Sequence, residues 1–218
     1  TIYGRNTGNF QAVSALATLA FDYPRRAELF RGELESLLLM AREQHRDPLD
    51  YQGSYAGALG LPQFLPSSVR NYAVDFDGDG QIDLLGSPKD AIGSVARYMQ
   101  MHGWEAGGPV AVRASLDSDT NLAPLLAKDI TPAFDSATLA SHGVRAMSSA
   151  EGAGKAAFVE LVTPGQDSEY WLGYQNFYVI TRYNRSSFYA MSVFQLGEAV
   201  KAARAAAASG KDNQARAR

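Results

Sequence analysis

The 218-residue sequence has no cysteine, which excludes disulfide frameworks, zinc–thiolate centres and cysteine nucleophiles. Its three histidines, His45, His102 and His142, lack the spacing of a metalloprotease or of a Ser–His–Asp set and read as surface or helix-end residues. Neither sign of charge dominates: 20 Lys and Arg against 23 Asp and Glu leave a net charge of −3, and nothing indicates a nucleic-acid partner. No apolar run approaches the roughly 18 residues of a membrane span, and no signal peptide or lipidation motif is visible, so the chain as given reads as soluble. Gly152-Ala153-Gly154-Lys155 lacks P-loop spacing and is followed by Ala156 instead of Ser or Thr. No internal repeat is present, which argues against modules built on paired calcium loops. Thr1 is not an initiator, so a processed or truncated start is expected.

What is present is an ordinary globular composition, 46% hydrophobic and 20% charged, long enough for one large domain or a domain carrying an insertion. Residues 11–21 form a short apolar helix. From about 25 to 45, Phe30, Leu34, Leu37, Leu38 and Ala41 recur at helical spacing, with Glu28, Arg31, Glu35 and Arg42 on the other faces. Residues 88–102 repeat the pattern with Ala91, Ile92, Val95, Ala96 and Met99, stopped by Gly103. The texture changes from 107 to 166. There, β-type runs at 109–112 and 158–162 and a short helix at 136–142 sit among Gly, Ser, Asp and Thr, as in a small mixed insertion. A last helix spans 187–208, with Ala190, Val193, Phe194, Gly197 and Val200 along one side and Gly210 as its stop. The expected organisation is a first core part (1–104, with an acidic loop at 75–90), an insertion (105–168), a return to the core with the final helix (169–208) and a polar tail (209–218).

The chain is organised around residues 53–90. Gly53-Ser54-Tyr55-Ala56-Gly57-Ala58-Leu59-Gly60 is a Gly/Ala-rich bend, and Gln63-Phe64-Leu65-Pro66-Ser67-Ser68 leads into a helix that Pro66 can open as its first residue. Asp75-Phe76-Asp77-Gly78-Asp79-Gly80 then gives the first half of an EF-hand-type loop: Asp75, Asp77 and Asp79 at alternate positions, Gly80 at the turn and the Gln81 carbonyl next. The closing position, usually a bidentate Glu, is Gly86. Asp83 and Asp90 are the carboxylates left. Ser87-Pro88-Lys89-Asp90 reads as a helix start capped by Ser87, from which Asp90 could reach back to an ion. The other reading is a plain Asp/Gly surface turn. Mutual repulsion of three aspartates within five residues favours a structural calcium ion (Ca2+). Farther on, Tyr170-Trp171-Leu172-Gly173-Tyr174-Gln175-Asn176-Phe177-Tyr178 and Thr181-Arg182-Tyr183-Asn184 carry rings and amides that suit sugar recognition or, equally, a half-buried aromatic core.

The bend, the Gln63-to-Ser68 run, the acidic loop, and Asn176-Phe177-Tyr178 with Ile180-Thr181-Arg182-Tyr183-Asn184 resemble the membrane-bound lytic murein transglycosylase B family from Thr1 to about Ala202. The resemblance implies a mainly α, lysozyme-like helical core containing an EF-hand-like calcium loop, with a small α+β insertion. It also implies cleavage of the bond between N-acetylmuramic acid and N-acetylglucosamine in peptidoglycan, leaving a 1,6-anhydromuramoyl end. Ser54 is implied to bond the catalytic glutamate and Gln63 to line the cleft. Tyr98, Tyr183, Asn184 and Tyr189 are implied to bind sugar or hold the cation, and Asp75, Asp77, Asp79, Gln81 and Asp90 to hold calcium. The family's acid lies in a Gly-Val-Glu-Thr-x-x-Gly motif, and this chain starts Thr1-Ile2-Tyr3-Gly4. The glutamate is therefore expected immediately before Thr1, and the chain alone is expected not to turn over. Glu28, Glu33 and Glu35 match no catalytic motif. The expected setting is the periplasm, with an outer-membrane anchor on a longer parent left open. Glycan strands are the expected partner of a monomer, and association with cell-wall synthases is also left open. The alternatives are a non-catalytic, calcium-stabilised peptidoglycan-binding module and a hydrolysing lysozyme, with an unrelated calcium sensor weaker than either.

Overall fold

The computed structural model describes residues 4–150 and 152–216. The chain is mainly helical with a small sheet and divides into two compact units, Thr1–Met101 and His102–Arg218. Among the described residues, no helix is long and apolar enough to cross a membrane.

In the first unit, strand β1 (Phe10–Gln11) leads into α1 (Ala12–Asp22), and a 3-10 turn at Pro24–Arg26 precedes α2 (Ala27–Glu43). The two helices pack through Ala12, Leu16 and Ala20 against Phe30, Leu37, Met40 and Ala41. Leu38, expected on that face, is 46% exposed because it lies about 100° round the helix from Leu37. The stripe instead takes in Glu33, which is buried. Strand β2 (Gln52–Gly53) pairs antiparallel with β1, and the chain then turns back on itself through bridges Gly53–Leu59 and Leu59–Phe64 before α3 (Pro66–Tyr72). Pro66 is the first residue of α3, as its missing N–H allows.

The acidic loop leads to α4 (Pro88–Met101), whose Asp90 N–H donates to Ser87 Oγ at 3.2 Å, the expected cap. The buried face of α4 differs from the aliphatic stripe read in the sequence. It consists of Asp90, Ala91, Gly93, Ser94 and Tyr98, while Ile92 is 67% exposed and Ala96 is also exposed. Ser94 Oγ accepts the Val74 N–H at 3.0 Å, and a Cβ on Gly93 would sit 2.4 Å from the Phe76 ring. The helix thus turns its small and polar side to the acidic loop, whose backbone needs acceptors and close approach more than it needs aliphatic cover.

The second unit is built on an antiparallel sheet of order β4-β3-β6-β5, formed by β3 (Ala111–Leu116), β4 (Val144–Ala146), β5 (Ala157–Leu161) and β6 (Glu169–Gly173). The last of these, whose residues the sequence places in the return to the core without a strand signal, pairs with both β3 and β5. Two short helices, α5 (Ala123–Leu126) and α6 (Ser136–Ser141), cover one side, over a core of Leu125, Phe134, Leu139, Val144, Phe158 and Leu172. Helices α7 (Gln175–Tyr183) and α8 (Ser187–Arg216) follow. Ala190 and Met191 of α8 are buried and Val193 and Phe194 half-buried, but Gly197 and Val200 are exposed. Gly210 does not stop α8: glycine weakens a helix by about 1 kcal/mol but keeps the N–H that proline would remove.

Candidate active site and acidic loop

The bend at residues 53–65 is held by backbone contacts that leave no room for side chains. A Cβ on Gly53 would lie 2.2 Å from the Ala58 carbonyl oxygen, and one on Gly8 would lie 2.1 Å from that of Gly53. Within this frame the half-buried Ser54 accepts the N–H groups of Ala56 and Ala58 at its Oγ, each at 3.2 Å. Its own O–H donates to no described residue. Gln63 has φ +53°, a left-handed conformation that costs a non-glycine residue about 1–2 kcal/mol. Its Nε2 donates to the Thr7 carbonyl at 3.0 Å and to that of Gly60 at 2.9 Å, tying the bend to the chain just after Gly4. Thr1, Ile2 and Tyr3, part of the motif read above, lie outside the described residues.

Tyr98 is only 8% exposed, with its ring 5.7 Å from that of Phe64 and 4.9 Å, edge-on, from that of Tyr72. In the second unit, Tyr183 and Tyr189 stack nearly parallel at 6.5 Å, and burial pushes the Tyr189 phenol up. Asn184 is exposed, and its amide bonds no described residue. Asn176, which the aromatic segment offered as a sugar amide, is buried and engaged. Its Oδ1 accepts the Glu105 N–H at 2.8 Å, and its Nδ2 donates to the carbonyls of Glu105 and Gly108 at 2.8 and 2.9 Å. Of the other rings in that segment, Tyr170 stacks on Phe158 at 5.6 Å, and Trp171 lies 5.3 Å from the Arg113 guanidinium.

In the acidic loop, carboxylate oxygens of Asp75, Asp77 and Asp90 lie within 4.8 Å of one another. Asp75 Oδ1 accepts Gly78 N–H at 2.7 Å and its Oδ2 accepts Gly80 N–H at 2.8 Å. Asp90, 1% exposed, turns its carboxylate to the backbone of the loop: Oδ1 accepts Phe76 N–H and Oδ2 accepts Asp83 N–H, each at 2.9 Å. The Asp83 and Phe76 N–H groups hold the Asp90 carboxyl below the usual carboxylate range. Asp79 is not one of the three; its Oδ1 accepts the Gln81 N–H at 2.8 Å. Asp83 likewise turns its Oδ1 to the N–H groups of Leu85 and Gly86. Lys89 Nζ stands 3.8 Å from Asp77.

Sequence reasoning missed Glu33. Its carboxylate, 6% exposed, accepts Ser67 N–H at 2.9 Å and Ser67 Oγ–H at 2.7 Å, so that α2 caps the first turn of α3. The only signal was a glutamate at i−4 from Leu37 on the apolar stripe.

These features define a helical domain that presents a strained Ser/Gln bend and an acidic loop. The chain matches the family described as "Transglycosylase SLT domain" over residues 1–198, and it belongs to that family. It is 48% identical over 204 residues to "Membrane-bound lytic murein transglycosylase B" of Escherichia coli K12, covering 94% of this chain and 55% of that protein. The chain therefore spans about half the length of that relative. Among solved structures it is similar to the soluble lytic transglycosylase SltB1 of Pseudomonas aeruginosa, with a TM-score of 0.84 and 48% identity over 94% of this chain and 67% of that one. It is also similar to the Escherichia coli lytic transglycosylase Slt35 in complex with calcium, with a TM-score of 0.82 and 48% identity over 94% and 64% of the respective chains.

Proposed function

We propose that this chain works in a lytic murein transglycosylase that cleaves the β-1,4 bond between N-acetylmuramic acid and N-acetylglucosamine of periplasmic peptidoglycan and forms 1,6-anhydromuramoyl products. The observation that carries the reading is the bend itself. Gln63 is held at positive φ and bonded to Thr7, near Ser54, whose hydroxyl donates to no described residue, in a chain 48% identical to a protein named for murein. Most glycosidases divide the work between two carboxylates. Here a single glutamate preceding Thr1 would protonate the leaving glycosidic oxygen, then take the proton of the muramoyl hydroxymethyl group as that oxygen bonds the anomeric carbon. Ser54 would donate its O–H to this carboxylate, and Gln63 would line the cleft beside it. Tyr98, packed on Phe64, would fix the position of the bend, while Tyr183, Tyr189 and Asn184 would serve as sugar contacts of the second unit.

The acidic loop fits a calcium ion. Three converging carboxylates, those of Asp75 and Asp90 already accepting backbone N–H groups and that of Asp77 standing 3.8 Å from Lys89, are a donor set that suits a hard cation. We assign Asp75, Asp77, Asp79, the Gln81 carbonyl and Asp90 to it. The ion would supply structural cross-linking between the end of α3 and the start of α4 and take no part in the bond cleavage.

The test is mass spectrometry of peptidoglycan treated with this chain and with a version extended upstream through the glutamate. Anhydro-muropeptides from the extended form alone are expected. Reducing ends would instead show a hydrolase, and activity from the chain as given would move the acid to another carboxylate. No product from either, with retained binding to peptidoglycan, would leave a binding module.

A further inference from the structure

The second unit contains open space that the proposed reaction does not use. A cavity of about 710 Å³ is lined by α6, β4 and the chain leading into β5, and a smaller one of about 180 Å³ shares Gly154, Lys155 and Tyr174 with it. The larger volume lies within the roughly 300–1,000 Å³ range of small-ligand sites. Its apolar lining includes Leu139, Val144 and Leu172, all buried.

Tyr174 stands where the two cavities meet and is 7% exposed. Its phenol makes no hydrogen bond to any described residue, and its oxygen is not among the buried atoms sealed from solvent. A phenol so buried ordinarily finds a partner. Tyr174 lines both cavities, and these offer its phenol space for a partner. Burial also pushes its pKa up, which keeps it a neutral donor. Lys155 shares the junction; its ammonium makes no close ion pair among the described residues, although its charge also helps to lower the Asp135 carboxyl on the wall of the larger cavity. Thus the Gly-Ala-Gly-Lys run that fails as a P-loop contributes a cavity wall.

The other charges on the lining are partly committed. Arg145 pairs with Asp117 at 3.4 Å, and the Asp135 carboxylate accepts the Thr138 N–H at 2.7 Å. The smaller cavity adds Glu105, an acceptor for N–H or ammonium groups. A neutral sugar would want a flat aromatic face to stack on, whereas the Tyr174 ring is packed into the core with Phe158 and Leu172.

We propose that the joined cavities take a short peptide, with one peptide carboxylate received by Lys155 Nζ and Tyr174 Oη and small apolar side chains lying against Leu139, Val144 and Leu172. The proposal rests on the function given above and deepens it, because peptidoglycan carries peptides beside its glycan and this site would read them.

The experiment titrates the full chain with the tetrapeptide Ala-Glu-Lys-Ala, carboxylates free, by calorimetry, and with an N-acetylglucosamine tetramer in parallel. Saturable peptide binding is expected, weakened about tenfold by Lys155→Met and about fivefold by Tyr174→Phe, with the parent melting temperature kept in both. Absence of saturable binding, an affinity unchanged in both variants, or preference for the sugar tetramer would overturn the site. A companion assay follows cleavage of peptide-free glycan strands by the upstream-extended protein. Cleavage without peptide binding overturns the peptide site and leaves the transglycosylase reading standing. Peptide binding that follows the variant pattern, without cleavage, upholds the site and overturns that reading.

Discussion

Gln63 is the residue at which stability and the proposed function oppose each other most directly. Its positive φ is a cost glycine would not bear, and its Nε2 bonds to Thr7 and Gly60 recover part of it. Gln63→Gly should therefore melt within a few degrees of the parent yet lower the anhydro-product rate of the extended protein at least tenfold. A rate equal to the parent's would remove Gln63 from the site. Glu33 behaves in the opposite way. Glu33→Ala leaves the Ser67 N–H and hydroxyl without an acceptor and should cost about 1–3 kcal/mol in denaturant unfolding, with the product chemistry unchanged. Neither feature was legible in the sequence. A left-handed glutamine has no local signature, and the partner of Glu33 lies on another helix, α3.

At the scale of elements, the helix starts were the most readable features, because caps are local. Pro66, Ser87 and Pro88 stand where the sequence put them. Faces were read less well: α4 turns Gly93 and Ser94 inward because the acidic loop covers it, which an aliphatic stripe count cannot foresee. Strands β4 and β6 escaped notice since the first is short and the second is an aromatic run that looks equally like a binding loop. Helix α6 offers a test at this scale. Its Asp135 cap accepts Thr138 N–H, which holds the carboxyl below the usual range. A carboxyl with a lowered folded pKa contributes stability that is present above about pH 4 and lost as pH falls through the folded value. In a melting series from neutral pH to about pH 2, Asp135→Asn should cap comparably and fall less steeply than the parent. Equal slopes would show that the cap does not contribute to the acid transition.

For the molecule as a whole, the calcium assignment proposed above would make the acidic loop a link between folding and a small ion. Calcium at about a hundredfold over its dissociation constant would add about 2.7 kcal/mol to the folded state. The melting temperature should therefore rise with calcium and fall with chelator. Asp77→Ala together with Asp79→Ala should lower the melting temperature and abolish the calcium response. A response that persists in the double variant would place the ion elsewhere. The alternation of Asp and Gly was legible because spacing is a sequence property, but it did not show that Asp75 and Asp77 converge with Asp90 while Asp79 stands apart. The place of Asp90 was legible only as a possibility of reach, which its two N–H bonds to the loop now fill.

The pairing of β1 with β2 has a temporal consequence. Phe10 meets Gly53, and the Ala12 N–H donates to the Tyr51 carbonyl at 2.8 Å, although the whole α1–α2 hairpin lies between them in the chain. Closing so long a segment costs entropy that the helix hairpin must first offset, so this ladder forms late in folding. By the same reasoning it opens early, and the amides of Gly53, Ser54 and Leu59 should exchange with solvent well before those of Leu16 and Leu37. The bend would then be a late and readily lost part of the native state, one that any ligand bound across it would hold in place.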